Sequence, residues 1–262
     1  ATPIGNMGDI TQRAVNILST CDYILAEDSR VTSGLLQKLG INSTVYSYHK
    51  FTEKKFLQKH IDEMKIGKNI GLVSDAGTPA VSDPGKYLVN AALNENIKVV
   101  PVPGPSAAAV AFSCSGSMSD SFVFAGFLPS KGAERIKELE KFLSFGLPVI
   151  FYEAPTRIKD LVERLASMKA RIVIFRELTK MFEEIFVYDG REIKEKGEFT
   201  VVAELMENTN ETKEIDSQLL EILKKSELSN KDAAELAARI YPKLGKNEIK
   251  KLFMTKETVK EK

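Results

Sequence analysis

The segment VSDAGTPAVSDPG, residues 73–85, joins an apolar run to a helical pattern. GLV enters the segment and KYLVNAAL follows it, and between them lie two glycines, two prolines, two serines and two aspartates. An apolar strand, a tight polar loop and a helix start are therefore predicted. Ligands of open α/β sheets sit beyond the carboxyl ends of the strands, so this loop is a candidate binding element.

The rest of the chain repeats this alternation of short apolar strands and helical patterns, which predicts βαβ units and mostly parallel sheets. The predicted helices span 84–96, 105–116, 132–145 and 155–168. The last two strands are joined by a short charged link and are expected to form a hairpin or to lie nearly adjacent. The predicted strands span 22–28, 69–74, 98–102, 121–127, 147–153, 171–178, 183–190 and 197–205.

The fold class expected is α/β, with two α/β domains and a small helical extension. The predicted boundaries are an N-terminal domain over 1–117, a second domain over 118–206, a polar linker over 207–217 and a basic helical extension over 218–262. Two helices separated at Pro242 and Gly245 are expected in the extension, with Ser229 and Asp232 capping the first of them.

Composition describes an ordinary globular chain with an uneven charge distribution. The formal net charge is +1, yet residues 224–262 hold eleven Lys and Arg against six Asp and Glu. That basic segment fits a polyanion partner, and a solvated lysine-rich tail is the alternative. Cys21 and Cys114 are predicted to be buried free thiols, which suits a reducing cytoplasm. Only two histidines are present, which excludes a Cys/His zinc cluster, and no apolar run approaches a membrane span.

The unusual residues of the chain follow predicted strands, but familiar phosphate motifs are missing. There is no GxxxxGK[ST] loop, and TPIGNMG does not match GxGxxG, which disfavours a P-loop or an ordinary dinucleotide fold. Eight segments in order resemble the small-subunit ribosomal RNA cytidine 2′-O-methyltransferase family, a branch of the tetrapyrrole methylase superfamily. They are TPIGNMGDIT, AEDSRVT, SYHK, VSDAGTPAVSDPG, VPGPSA, GFLPSK, FYEAPTR and RELTKMFEE. The resemblance covers residues 1 to about 205 and, more loosely, the helical extension.

This resemblance implies a cleft between the two domains that binds S-adenosylmethionine, a homodimer, and no metal. It implies methyl transfer to a ribose 2′-hydroxyl in the decoding region of small-subunit ribosomal RNA, or of the 30S subunit. It also implies a first β-strand upstream of ATPIGN. The cofactor positions that carry over are Pro3, Gly5, Gly77, Thr78, Val81, Ser106, Ala107, Glu153 and Leu178.

One motif departs from the superfamily pattern. The Gly-Asp-Pro tripeptide of the tetrapyrrole enzymes stands here as Gly77-Thr78-Pro79, and Asp75 is the candidate substitute for the missing carboxylate. Backbone contact with the cofactor is expected from Gly77 to Val81, whereas Asp83-Pro84-Gly85 is interpreted as a helix start only.

Candidate catalytic and RNA-binding residues each have a structural alternative. Glu27 and His49 are the candidate bases for a ribose hydroxyl, although Glu27 is also placed to cap a helix and His49 to lie at the surface. The candidate RNA-binding residues lie in loops or on helices where an exposed, solvated role is the alternative. They are Arg30, Lys131, Arg135, Lys180 and Arg239.

Two other functions remain open from the sequence. A methylase of small molecules such as tetrapyrroles would be active without RNA and would give the basic extension no role. A non-catalytic ribosome-assembly protein would bind RNA without turnover, although the complete set of Gly/Pro-shaped loops disfavours a vestigial pocket.

Overall fold

The structure is a computed structural model, and it forms two compact units, residues 1–205 and 206–262, which are described separately. Within the described ranges, no helix is long and apolar enough to cross a membrane. Both cysteines are free, as predicted, but neither is fully buried: Cys21 is half-buried and Cys114 is exposed. The ranges that the structure describes are 1–206, 217–226, 228–240 and 246–254.

The first half of the larger unit holds a parallel three-stranded sheet in the order β2-β1-β3. Strand β1 (Tyr23–Ala26) is buried at all four positions, because helices cover both of its faces. β2 spans Val45–Ser47 and β3 spans Ile70–Val73. The helices of this half are α1 (Gln12–Thr20), α2 (Ser29–Lys38), α3 (Glu53–Lys65), α4 (Lys86–Asn94) and α5 (Ala107–Cys114).

The second half holds a five-stranded sheet in the order β4-β5-β8-β6-β7. β4, β5 and β6 run in one direction and alternate with helices α6 (Ala133–Leu143) and α7 (Ile158–Ser167), as the pattern predicted. β7 and β8 run the other way, so this sheet is mixed. The strands are β4 (Val123–Phe127), β5 (Val149–Glu153), β6 (Ala170–Arg176), β7 (Glu184–Val187) and β8 (Phe199–Leu205).

Two predicted details are wrong. Residues 98–102 form no strand, since Pro101 and the following Pro103 lack the amide hydrogens that a ladder needs. β7 and β8 are not neighbours, because β8 inserts between β5 and β6 while β7 pairs with the outer side of β6. The α/β class itself is confirmed, with two separate sheets in residues 1–205.

The core of the second half lies between the sheet and helices α6 and α7. Phe151 and Val201 from the sheet pack with Leu161 and Leu165 of α7, and all four side chains are fully buried. Each contributes about 1.5–3 kcal/mol relative to an exposed position. This core fixes the strand ends that carry the loops described next.

The smaller unit contains helices α8 (Ser217–Lys225), α9 (Asn230–Ile240) and α10 (Lys246–Met254) around a small apolar core that includes Ala237 and Ile249. The predicted cap is confirmed, since the Asp232 amide donates to Ser229 Oγ at 3.2 Å. Helix α8 was not predicted as a separate helix from the sequence. Almost all of the predicted linker 207–217, and the predicted break at Pro242 and Gly245, lie outside the described residues.

Candidate active site

A cavity of about 430 Å³ is lined by residues of both halves of the larger unit, a volume typical of small-molecule sites. It lies against the loop after β3, the start of α5 and the ends of β5 and β6. Pro3 and Gly5 do not line it, whereas Ile4 between them does. The predicted cofactor residues that it brings together are Gly77, Thr78, Val81, Ser106, Ala107, Glu153 and Leu178.

The loop after β3 is tied to the N-terminal segment by backbone hydrogen bonds. Thr2 and Gly77 exchange both amide bonds, at 2.9 and 3.0 Å, and Thr2 Oγ1 donates to the Ser74 carbonyl at 3.0 Å. Gly77 has φ +82°, and a Cβ there would stand 3.3 Å from Ile4 Cγ2. A glycine is therefore required where the loop turns toward the cavity.

The same loop stores backbone strain directly at the cavity wall. Ala80 and Ser82 have φ of 65° and 67°, in the left-handed region that costs non-glycine residues about 1–2 kcal/mol each. Thr78 Oγ1 donates to the Pro105 carbonyl at 3.1 Å, which joins the loop to the segment before α5. Both Thr78 and Ser82 line the cavity, so the strained geometry shapes the site itself.

The carboxylates of Glu27, Asp75 and Asp83 lie close together where β1 and β3 end. The Asp28 amide donates to Asp75 Oδ1 at 2.9 Å, which fixes the two strand ends to each other. Burial, followed by repulsion from Glu27 and Asp75, raises the pKa of Asp83 to about 6. Burial and Asp75 likewise raise the pKa of Glu27, while the nearby Lys50 opposes both shifts.

Asp83 is the site residue that the sequence interpretation missed. It lines the cavity, although the Asp-Pro-Gly sequence indicated only a helix start. The signal available in the sequence was a second aspartate in the same strand-end loop as Asp75, eight residues further on.

The wall from β5 is held by an ion-pair cluster. Glu153 is buried and accepts from Arg135 Nη2 at 2.6 Å, from Arg157 Nε at 2.8 Å and from the Ala154 amide at 2.8 Å. Arg135 also bonds Asp160 and the Pro129 carbonyl. Its guanidinium is buried and fully engaged, so the predicted contact of Arg135 with RNA is replaced by a structural role.

The wall from β6 ends in a tight loop over residues 177–180. Glu177 and Thr179 both have positive φ, at 54° and 65°. Burial opposes ionisation of Glu177, but hydrogen bonds from the Glu198 amide and from Lys180 leave its pKa lowered overall. A Cβ at Gly5 would stand 2.5 Å from Lys180 Cγ and 2.9 Å from the Leu178 carbonyl oxygen. Gly5 therefore allows this loop to pack on the N-terminal segment.

The remaining predicted residues lie at different places. His49 is half-buried near Glu27 but does not line the cavity, and its Nδ1 accepts from the Phe51 amide at 3.3 Å. Arg30 is 90% exposed and pairs with Asp28, while Lys180 pairs with Glu177 and Glu198. Lys131 is exposed in the loop after β4, and Arg239 is exposed on α9 of the smaller unit.

The lining of the cavity limits what it can hold. Four carboxylates line it, those of Asp75, Asp83, Glu153 and Glu198, and no Lys, Arg or His is found among the described lining residues. Ile4, Phe175 and Leu178 supply apolar surface. Such a lining favours a ligand with positive charge and a flat apolar part, and it disfavours a polyphosphate. Among the described residues, no group of three or more His, Cys, Asp or Glu side chains is arranged so that it could hold a metal ion.

Solved structures share this fold. A diphthine synthase matches with TM-score 0.58 and 14% identity, over 76% of this chain and 86% of that one. The methyltransferase CobJ matches with TM-score 0.56 and 16% identity, over 78% of this chain and 91% of that one. The family of Tetrapyrrole (Corrin/Porphyrin) Methylases matches residues 1–194. The fold is thus that of the tetrapyrrole methylases.

Within the tetrapyrrole methylases, curated relatives indicate which family this chain belongs to. Ribosomal RNA small subunit methyltransferase I of Vibrio cholerae serotype O1 is 40% identical over 265 residues, 95% of this chain and 91% of the relative. The protein of that name from Escherichia coli O157:H7 is 38% identical, over 92% of this chain and 88% of the relative. The chain belongs to the ribosomal RNA small subunit methyltransferase I family, and the resemblance found in its sequence is confirmed.

Proposed function

We propose that this chain transfers a methyl group from S-adenosylmethionine to the ribose 2′-hydroxyl of a cytidine in the decoding region of small-subunit ribosomal RNA. The observation that carries the proposal is the cavity at the strand ends, with its acidic and apolar lining, in a chain whose curated relatives are named as methyltransferases of that RNA. The protein acts in the cytoplasm.

The cavity residues fit S-adenosylmethionine. Asp75 offers negative charge to the positive sulfonium and ammonium groups, and Ile4, Phe175 and Leu178 offer apolar surface for the adenine. Small residues at Gly77, Ser106 and Ala107 allow the backbone to approach the ligand closely. When bound, the cofactor supplies a methyl group that its sulfonium has already activated.

The protein then acts mainly by positioning and by handling one proton. The strained loop after β3 and the Glu153 cluster hold opposite walls of the cleft, so that a docked ribose oxygen and the methyl group can align. A ribose hydroxyl is a weak nucleophile near neutral pH and benefits from a carboxylate that accepts its proton. Glu27, His49 and the missed Asp83 are the candidates.

RNA contacts are proposed for Arg30, Lys131, Lys180 and Arg239. Arg30 and Lys131 support this role best in the larger unit, since both cations reach solvent and Lys131 forms no ion pair with any described residue. To contact RNA, Lys180 would have to break at least one of its ion pairs with Glu177 and Glu198. A homodimer is proposed as well, supported by apolar surface at Met181 and Phe182, which are 91% and 69% exposed.

The test incubates the chain with radiolabelled S-adenosylmethionine and either naked small-subunit RNA or small subunits that lack the modification. We expect label on the ribose of a cytidine, located by nuclease mapping, and its suppression by excess S-adenosylhomocysteine. Cofactor binding without RNA label would instead favour a methylase of small molecules. RNA binding with neither label nor cofactor binding would favour a ribosome-assembly protein.

A further inference from the structure

Four carboxylates line the cavity, and three of them are already engaged by protein groups. Asp75 accepts the Asp28 amide, Glu153 is held by two arginines, and Glu198 pairs with Lys180. Asp83 is different, because no hydrogen bond or ion pair with the described parts of the chain engages its carboxylate. It is half-buried and faces the site without a partner.

We propose that the Asp83 carboxylate is the general base that removes the proton from the ribose 2′-hydroxyl during methyl transfer. This assignment rests on the proposed function and names a chemical group for it. Glu27 and His49 do not line the cavity, and Glu27 acts on Asp83 only through its charge.

The charges around Asp83 suit that role. Glu27 and Asp75 repel its negative form, Lys50 partly offsets them, and the Tyr152 phenol across the cleft is itself influenced by the Asp83 charge. Together with burial they leave Asp83 with a pKa of about 6. A base is most useful when its pKa lies close to the working pH, because it is then ionised and still basic.

The backbone holds Asp83 in place from both halves of the fold. Its neighbour Ser82 has φ 67°, and Ser82 Oγ packs against Gly126 of β4 so closely that a Cβ there would stand 2.5 Å away. β4 shifts register between Phe124 and Gly126, at the position where this contact occurs. The bulge and the glycine therefore let the Asp83 loop reach across to the second sheet.

The step balances in atoms and charge. The ribose oxygen takes the methyl carbon from sulfur, which keeps the electron pair of the broken carbon–sulfur bond, and Asp83 takes the proton of the ribose oxygen. One positive and one negative charge disappear together, which favours the step in a cavity with apolar walls. No further reactant is needed.

The test compares the intact chain with three charge-removing variants. Asp83→Asn removes the proposed base, and Glu27→Gln removes its charged neighbour. Asp62→Asn, at an exposed position of α3, is the control. Single-turnover methyl transfer to small subunits is measured from pH 5 to 9. Two readouts do not depend on activity: calorimetric affinity for S-adenosylhomocysteine, and the carboxyl ¹³C titration assigned to Asp83 by comparison with Asp83→Asn.

We expect the unmodified chain to gain activity as pH rises through about 6 and then to level off. Asp83→Asn should be at least about 100-fold slower and lose this dependence, while its affinity for S-adenosylhomocysteine changes less than about threefold. Glu27→Gln should stay active, with both its activity limb and the Asp83 titration moved to lower pH. Asp62→Asn should match the unmodified chain.

Several outcomes would overturn the assignment. A normal rate and pH profile in Asp83→Asn would contradict it, and so would a loss of methyl transfer in Glu27→Gln. A titration of Asp83 at its ordinary value also contradicts it. If the unmodified chain labels no RNA at any pH while S-adenosylhomocysteine binds, the proposed function itself fails and the base assignment falls with it. A defect confined to Asp83→Asn separates the two results.

Discussion

Gly5 shows how one missing side chain shapes the cavity from outside it. Gly5 does not line the cavity, yet it lies against the 177–180 loop, and the adjacent Ile4 and Leu178 both form cavity wall. Gly5→Ala would place a Cβ within 2.9 Å of the Leu178 carbonyl oxygen. Relieving such overpacking costs about 1–3 kcal/mol and moves the loop. We therefore expect lower stability in urea and an affinity for S-adenosylmethionine reduced about tenfold.

Gly34→Ala is the matched control for that substitution. Gly34 lies inside α2, and a Cβ there meets nothing within 4 Å. An alanine in a helix interior is favoured over glycine by up to about 1 kcal/mol, so stability should be unchanged or higher. Equal losses of cofactor affinity in both variants would show that the Gly5 contact does not support the site.

At the scale of elements, the packing of α3 on β1 depends on a neutral histidine. His60 is buried, and its ring Nδ1 lies 2.8 Å from the oxygen of the Tyr23 hydroxyl, whose proton is donated to Glu63. Burial lowers the pKa of His60 despite the opposing charge of Glu63. The unfolded chain therefore binds a proton near pH 6.5 that the folded chain excludes, and stability falls as the pH drops below that value.

His60→Asn should remove this dependence while keeping a polar group near Tyr23. Between pH 7.5 and 5.5 the unmodified chain should lose up to about 1.4 kcal/mol more unfolding free energy than the variant. Urea unfolding at both pH values measures the difference. Parallel losses in the two proteins would mean that His60 becomes protonated without cost in the folded state.

The element pattern was predictable where the cause is local. Alternating strands and helices gave the α/β class, and Ser229 followed by Asp232 gave the start of α9. The insertion of β8 between β5 and β6 was not predictable, because it depends on pairing between residues far apart in the chain. The burial pattern agrees with the observed order: the first five residues of β8 are buried, as in a central strand, whereas exposure alternates along β7, as at an edge.

Site residues were likewise predictable only where a local sequence signal marks them. The strand-end loops identified most cavity residues, because glycine and proline leave a local signal. The burial of Arg135 was not predictable, since it arises from Glu153, a strand residue 18 positions away. Asp83 was missed because its raised pKa comes from burial and from repulsion by Glu27 and Asp75, and only the folded chain provides this environment.

At the scale of the whole molecule, the cavity and the exposed cations of α9 lie in different units. The cavity is lined entirely by residues of the larger unit, and its carboxylates would repel RNA phosphates. The smaller unit has its own apolar core and carries exposed cations, which include Lys231 and Arg239 on α9. We therefore expect a division in which the cations of α9 attract RNA and take no part in cofactor binding.

The double variant Lys231→Glu/Arg239→Glu tests that division. If both cations contact phosphates, RNA affinity should fall and the slope of log K against log salt should shrink by roughly 1.4–1.8. Affinity for S-adenosylmethionine should not change, because neither residue lines the cavity. Lys38→Glu/Lys98→Glu, at exposed positions of the larger unit, is the control with the same change in net charge. Equal loss of RNA affinity in both pairs would reduce the role of α9 to a contribution to overall charge.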